Sequence, residues 1–464
     1  MLRNLVFVVL LGVAIWGAFI SPFGALLAYL WFALFRPLEW IWIDLSALRL
    51  SLLFGVVLLA RSVAARSWPN VSHRTSILTM VFLLSAILAH INAVSPETSW
   101  HWIDYFVRLA IVCMLLITQA DSPRRLFLAL FVVACSLGFY SVKAGFASLT
   151  GGGVRFGDGL AGGLADNNAF ALAAVMIMPF FFALTQGIPE NWKFQKAFTW
   201  IMRISIPLSG FAAVSMFSRS ALLAMAAGAF MALIVFVKRR FGTLMLCVLV
   251  GGIAAPFVPL PQGYKERVQT IYTYQEVGEE SAISRLHFWK VALHMVGDKP
   301  LGIGMFNFNA TYDKYDFLDG RFGHNRSVHN SHLQVLAEQG FIGFIAWIWL
   351  YISSLRTCFR IRRLAMSQPE GTPHARFFWA ISGAFAVSMV SFLIGGSFIA
   401  MALNEISWIT FALVAAMEQV ALKTFAGVPV KRRVNPYAAL QQPQPTEPSA
   451  AATPATPAVS RKGR

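Results

Sequence analysis

The sequence predicts an all-α, polytopic integral membrane protein with about twelve transmembrane helices and one large, partly helical periplasmic loop. Three observations predict it. Of the 464 residues, 57% are hydrophobic and only 13% charged, whereas soluble proteins carry about twice that share of charge. The mean hydropathy is +0.62. Apolar runs of the length that crosses a bilayer, about 20 residues, recur from the N-terminus to position 421. So few charges cannot cover a water-facing surface, so most of the chain faces lipid or is buried beside it.

The candidate spans lie near 4–20, 23–35, 48–64, 75–93, 102–119, 126–142, 168–186, 197–216, 220–237, 242–259, 340–356, 377–398 and 404–421. Ser21-Pro22 divides the first two, which are short and read as a broken pair. No small-residue cleavage site closes the first run, which therefore reads as an anchor rather than a removed signal peptide.

A net charge of +17 suggests nucleic acid in a soluble protein. Here the positions of the charges decide otherwise. Lys and Arg cluster at Arg61, Arg66 and Arg74, at Arg124 and Arg125, and at Lys193 and Lys196. Further clusters are Lys238 to Arg240, Arg356 to Arg363, and Lys431 to Arg433. They occupy every second loop, as one cytoplasmic face requires. The intervening loop 94–101 has no Lys or Arg, and loop 260–339 balances eight basic against nine acidic residues. Loops 143–167 and 260–339 are thus assigned to the periplasm, and no nucleic-acid partner is expected.

This divides the chain into N-terminal transmembrane helices (1–259), a periplasmic loop with the candidate catalytic motif (260–339), C-terminal transmembrane helices (340–424) and a disordered cytoplasmic tail (425–464). The tail is rich in Pro, Ala, Thr and Gln and has no apolar face to bury. Cys113, Cys135, Cys247 and Cys358 are scattered without metal or disulfide spacing and read as small hydrophobes.

Ionisable groups at the membrane edge are costly and mark functional sites. Arg219, in Phe-Ser-Arg-Ser-Ala, joins two apolar runs with almost no loop between them. Its guanidinium suits a phosphate or diphosphate at headgroup depth, or it snorkels to the interface. Arg285 opens an amphipathic stretch with apolar residues at Leu286, Trp289 and Leu293, and Ser284 is a candidate N-cap. An arginine at a helix N-terminus makes an anion site; the plainer reading is a solvated surface arginine. His329 precedes Asn330 and Ser331, either of which can cap a helix toward Gly340. Histidine is the natural general base near neutral pH, although His324, His329 and His332 each also fit a surface or capping role. Asp166-Asn167-Asn168 either binds a polar substrate or caps the following helix. Arg108 lies inside a span, with Asp104 one turn earlier to pair with it. The Gly151-Gly152-Gly153 stretch lacks the lysine of a phosphate-binding loop.

His329-Asn330, nine residues, Gly340, two residues, Gly343 resembles the signature of bacterial O-antigen ligases and polymerases. Ser218-Arg219-Ser220 resembles that family's first arginine region. The stretch from Arg285 to Asp298-Lys299-Pro300-Leu301-Gly302-Ile303-Gly304 resembles the second. Further pieces are similar to the O-glycosylation ligases associated with exosortase A: Phe139 to Gly145, Asp166-Asn167-Asn168-Ala169, and Arg267 to Gln275. The chain departs from that branch in having His-Asn-Ser-His at 329–332.

The resemblance implies a periplasmic-face glycosyltransferase of the bacterial inner membrane. The donor is an undecaprenyl-diphosphate-linked glycan, and the acceptor a hydroxyl on lipid A core, another glycan or a protein. It implies that Arg219 and Arg285 clamp the diphosphate and that His329 deprotonates the acceptor, with no metal or other cofactor needed. Asn330, Lys143, Asp166 and Asn168 are further candidates for substrate binding. The alternatives are a repeat-unit polymerase with the same motif set and a lipid-linked oligosaccharide flippase. Transporters show internal repeats and midplane polar groups; here the polar groups gather at one face.

Overall fold

The computed structural model describes residues 2–41, 50–151, 164, 166–189, 192–216, 218–237, 242, 279–426 and 463. Among them every regular element is helical, with no strand. The candidate span at 242–259 (all but its first residue), the Arg267 to Gln275 stretch, Cys247, the Lys238 to Arg240 and Lys431 to Arg433 clusters and most of the tail lie outside the described residues.

The N-terminal part comprises α1 (Leu2–Ile20), α2 (Pro22–Phe35), the single turn α3 (Pro37–Trp40), α4 (Leu50–Ala64), α5 (Arg74–His90), α6 (Pro96–Gln119), α7 (Pro123–Thr150), α8 (Asn167–Thr185), α9 (Gln195–Ser215) and α10 (Arg219–Phe236). Then come α11 (Glu279–Asp298), α12 (Phe308–Tyr315), α13 (Ser331–Met366), α14 (Ala375–Gly395) and α15 (Glu405–Thr424). Nine helices among the described residues are long and apolar enough to cross a membrane, and Pro22–Phe35, Leu50–Ala64 and Arg74–His90 are shorter apolar helices. The protein is thus a multi-pass membrane protein.

Local chemistry sets the helix starts. Pro22, Pro96 and Pro123 stand in the first turns of α2, α6 and α7, where the missing N–H costs nothing. Ser21 accepts from the Gly24 amide and Ser122 from the Arg125 amide. Ser21-Pro22 is therefore a real break, and it yields two helices packed on each other. Lys143, expected in an external loop, instead lies inside α7, which runs on to Thr150. The small and apolar residues following it continue the helix.

The central helices α8, α14 and α15 are almost wholly buried, whereas α1 presents Leu5, Trp16 and Phe19 outward. Apolar side chains gain little by leaving lipid, so close approach and polar contacts hold such a bundle. Between α7 and α9, Ser141 and Ser209 share a 2.8 Å hydroxyl contact, and a Cβ on Gly145 would stand 1.8 Å from the Leu208 carbonyl oxygen. Arg108 pairs with Asp104 one turn away, as expected.

The bundle has two polar ends. At one, Asn92 donates to the Gly302 carbonyl, and the Ser331 hydroxyl bridges Ile399 and Met401. At the other, Glu418 collects Arg74, Arg360 and His73.

Candidate active site

The site is built where α13 begins. Asn330 is the N-cap, its side-chain oxygen accepting from the amides of His332 at 2.9 Å and Leu333 at 3.0 Å. Ser331, the other expected cap, instead donates to the Ile399 carbonyl at 2.7 Å and accepts from the Met401 amide. Immediately before the cap, His329 adopts φ 47°, the left-handed region that non-glycine residues rarely enter. Its ring packs on Phe288 at 6.2 Å between centroids, leaves an exposed edge, and takes no hydrogen bond among the described residues. Strain of this kind persists where surrounding structure over-determines it, often at functional positions.

Gly340 explains the spacing that follows. Its φ of 66° and ψ of −165° kink α13 where helix would otherwise continue. A Cβ there would meet the Pro300 carbonyl oxygen at 2.1 Å. Phe341 donates to Pro300, Ile303 to Ala337 and Gly304 to Glu338, so the Pro300 to Gly304 turn lies flat against the kink. The two motifs are therefore one packed unit. The buried Glu338 carboxylate accepts from the Phe306 and Phe308 amides, where α12 begins.

Helix α11 carries Arg285 on a small separate core of Phe288, Val291, Ala292 and Met295 against Ile303, Phe308, Tyr312, Val328 and Ala337. Two expectations fail here. The helix starts at Glu279, so Ser284 is not its cap and Arg285 stands in the second turn rather than at an N-terminus. Leu286 and Leu293 of the amphipathic stretch are 55% and 51% exposed. Both stripes have helical spacing, and the one through Phe288, Val291 and Met295 is the one that meets Ile303, Tyr312 and Val328.

Ser218 caps α10 through the Ala221 amide at 3.2 Å and touches the Ser220 hydroxyl at 2.9 Å. Both serines are buried, while Arg219 between them is exposed.

These side chains converge electrostatically. Burial, and then the charge of Arg219, hold the Arg285 guanidinium below its usual pKa. Partial burial lowers the His329 pKa; Arg285 lowers it further, Asp166 opposes this, and Arg326 adds to it. The structure thus brings Arg219, Arg285, His329 and Asp166 within electrostatic reach across sequence gaps of many helices. Asp166 has no capping bond from its side chain; its carboxylate accepts from the Asn168 side chain at 3.2 Å. Asp166 thus stands at the N-cap of α8 without a side-chain capping bond, and its carboxylate is exposed. Lys143 is not among the charges acting on His329. Arg326 is the member that sequence reasoning missed, since nothing in its local pattern distinguishes it from other loop arginines.

The neighbouring histidines are committed elsewhere. Trp347 donates to His332 Nδ1 at 3.1 Å, so Nε2 carries the proton and donates to the Leu393 carbonyl at 3.0 Å. His324 contacts Asp313 in the open. His287 Nε2 lies 2.7 Å from Asp316 Oδ1, both buried. Burial alone would raise the Asp316 pKa, but the Leu318 and Gly320 amides and His287 outweigh it and lower it. This pair ties α11 to the following loop, two residues from Arg285.

At one end of an all-helical membrane bundle, Arg219 acts on Arg285, and Arg285 and Asp166 act on a histidine that takes no hydrogen bond among the described residues. Residues 204–348 match a family model described as O-antigen ligase, and the chain carries that family's domain. It is a membrane enzyme of the ligase or polymerase type. Residues 2–188 match a second model, described as a family of unknown function. Arg219, Arg285, His329 and Asn330 lie in the first segment, and Asp166 and Asn168 in the second. No curated protein matches the chain.

Proposed function

We propose that the protein transfers a glycan from undecaprenyl diphosphate to a hydroxyl acceptor at the periplasmic face of the bacterial inner membrane. One observation carries the reading: in residues drawn from distant segments, Arg219 acts on the Arg285 charge and Arg285 acts on His329.

Arg219 and Arg285 hold the diphosphate and stabilise the charge that develops on it as the bond to the sugar C1 breaks. His329 takes the proton of the acceptor hydroxyl, whose oxygen forms the new bond to C1. Undecaprenyl diphosphate leaves. The lowered pKa of His329 keeps the ring neutral at pH 7 and ready to accept that proton. Asp166 stabilises the resulting imidazolium, and Asn168 orients Asp166. Asn330 contacts substrate through what its capping role leaves free, while Lys143 now has little to support it.

The lipid donor draws support from α11. Its exposed Ile283, Leu286 and Leu293 are followed by exposed Leu301, next to Phe341 and Ile345 of the span. Such a stripe seats in the headgroup boundary, which brings Arg285 to the depth of a lipid diphosphate. The face assignment draws support from loop 94–101, which has no Lys or Arg, and from loop 260–339, where nine acidic residues balance eight basic ones. The acceptor is a lipid A core sugar, a second glycan or a protein. Polymerisation uses the same residues with a lipid-linked glycan as acceptor.

The test is transfer by purified protein supplied with undecaprenyl-diphosphate glycan and candidate acceptors. His329→Ala and Arg219→Ala are expected to lower transfer by at least about a hundredfold. Unchanged transfer in both variants would sink the site assignment. Absence of released undecaprenyl diphosphate with every acceptor would sink the reaction itself.

A further inference from the structure

The end of the bundle opposite His329 holds a cavity of about 1430 Å³ between α7, α8, α9 and α14. This is larger than the roughly 300–1,000 Å³ of ordinary small-molecule pockets. Thr185 and Gln186, at the far end of α8 from Asp166, lie on its wall, so it is remote from the candidate active site. Arg124, Arg203 and Arg376 line it, with Glu370 as the one acid on its wall among the described residues. None of the three arginines has an ion pair or hydrogen bond among the described residues. Phe127, Phe131 and Phe198 supply apolar walls.

Arg203 is the informative member. It stands eight residues into α9, about 12 Å along the helix. Its neighbours Trp200, Ile201 and Ile204 are exposed, and so face lipid. A cation at that depth without an acid partner is expensive unless an anion meets it. Helices α7, α9 and α14 also all begin at the cavity, adding positive dipole ends to the arginines. Three arginines and aromatic walls beside a lipid-exposed face of α9 match an anionic headgroup with acyl chains in chemistry.

We propose that this cavity binds an anionic phospholipid, its phosphate held by Arg124, Arg203 and Arg376 and its acyl chains lying along Phe127, Phe131 and Phe198. The lipid bridges α7, α9 and α14. Because α9 leads directly into Arg219 and α14 packs on α10, occupancy steadies the scaffold of that arginine. The site stands apart from the transfer reading and does not depend on it.

The test uses the full chain in neutral detergent, following retained lipid by native mass spectrometry and thermal stability during titration. Phosphatidylglycerol is expected to remain bound and to raise the Tm, with phosphatidylcholine weaker by at least tenfold and inorganic phosphate at the same concentration without effect. Each arginine changed to Gln is expected to weaken phosphatidylglycerol binding about fivefold. A control carrying Arg66→Gln, Arg356→Gln and Arg363→Gln removes the same charge away from the cavity and is expected to bind as the parent does. If the triple Arg124→Gln, Arg203→Gln, Arg376→Gln does not fold, Arg203→Gln alone carries the comparison. Equal binding of the two lipids, equal weakening by the control, or full competition by inorganic phosphate would each overturn the proposal.

Discussion

Arg219 and Arg285, each on a different helix, lie within electrostatic reach of one another, and after burial it is the Arg219 charge that makes Arg285 harder to keep protonated. Two like charges held together by the fold store repulsion that an anion relieves. Inorganic diphosphate is therefore expected to stabilise the protein, by about 2.7 kcal/mol at a hundred times its Kd. Arg219→Gln and Arg285→Gln should each remove most of the Tm gain. A full gain in both variants would mean that the diphosphate binds elsewhere.

The pH dependence of transfer should report His329. Its pKa lies below the ordinary histidine value of about 6.5. Activity needs the neutral ring, so it is retained above that lowered pKa and lost as pH falls through it. Asp166 raises the pKa and Arg326 lowers it. Asp166→Asn should move the acid limb to lower pH, and Arg326→Gln should move it to higher pH. Shifts in the same direction, or an acid limb above the ordinary histidine range, would contradict the assignment.

Strain and activity should separate at His329. With φ at 47°, glycine fits the backbone better than any other residue. His329→Gly is expected to melt above His329→Ala by the equivalent of roughly 1 kcal/mol, while both lose transfer. Retained transfer in the glycine variant would exclude His329 as the base.

Gly340 should be the most sensitive glycine of the motif. Ala would place its Cβ 2.1 Å from the Pro300 carbonyl oxygen at a φ of 66°. Gly340→Ala is expected to cost more than about 2 kcal/mol and to lower folded yield sharply. Gly297→Ala, with nothing within 4 Å of the new methyl, should be neutral or stabilising by up to about 1 kcal/mol. Similar melting of the two variants would show that the kink is dispensable.

His332 supports the fold. Removing it leaves the Trp347 indole N–H without its acceptor, while the Leu393 carbonyl keeps the Ser397 hydroxyl. His332→Ala is expected to lose about 1–3 kcal/mol, with the acid limb of the pH profile in place. A displaced limb would assign the proton transfer to His332 instead.

The sequence by itself determined what is local or compositional. Apolar run length and sparse charge define the multi-pass helical bundle, and Ser21-Pro22 marks its first break. Arg219, Arg285 and His329 stand out because an ionisable group at a membrane edge is conspicuous without knowing its neighbours. Only the tertiary structure decided which groups meet and which stripe is buried. On α11 the stripes of Leu286 and Phe288 have the same period, and the surface offered by Ile303, Val328 and Ala337 selects the second. Arg326 acts on His329 and Lys143 does not, for the same reason. Charge interaction depends on distance through space, and the α7 helix carries one residue past the expected loop while the turn before His329 brings the other in. The arginine cavity at the far end is the clearest case. Arg124, Arg203 and Arg376 lie in three separate stretches of chain, and only the packing of three helix starts makes them one site.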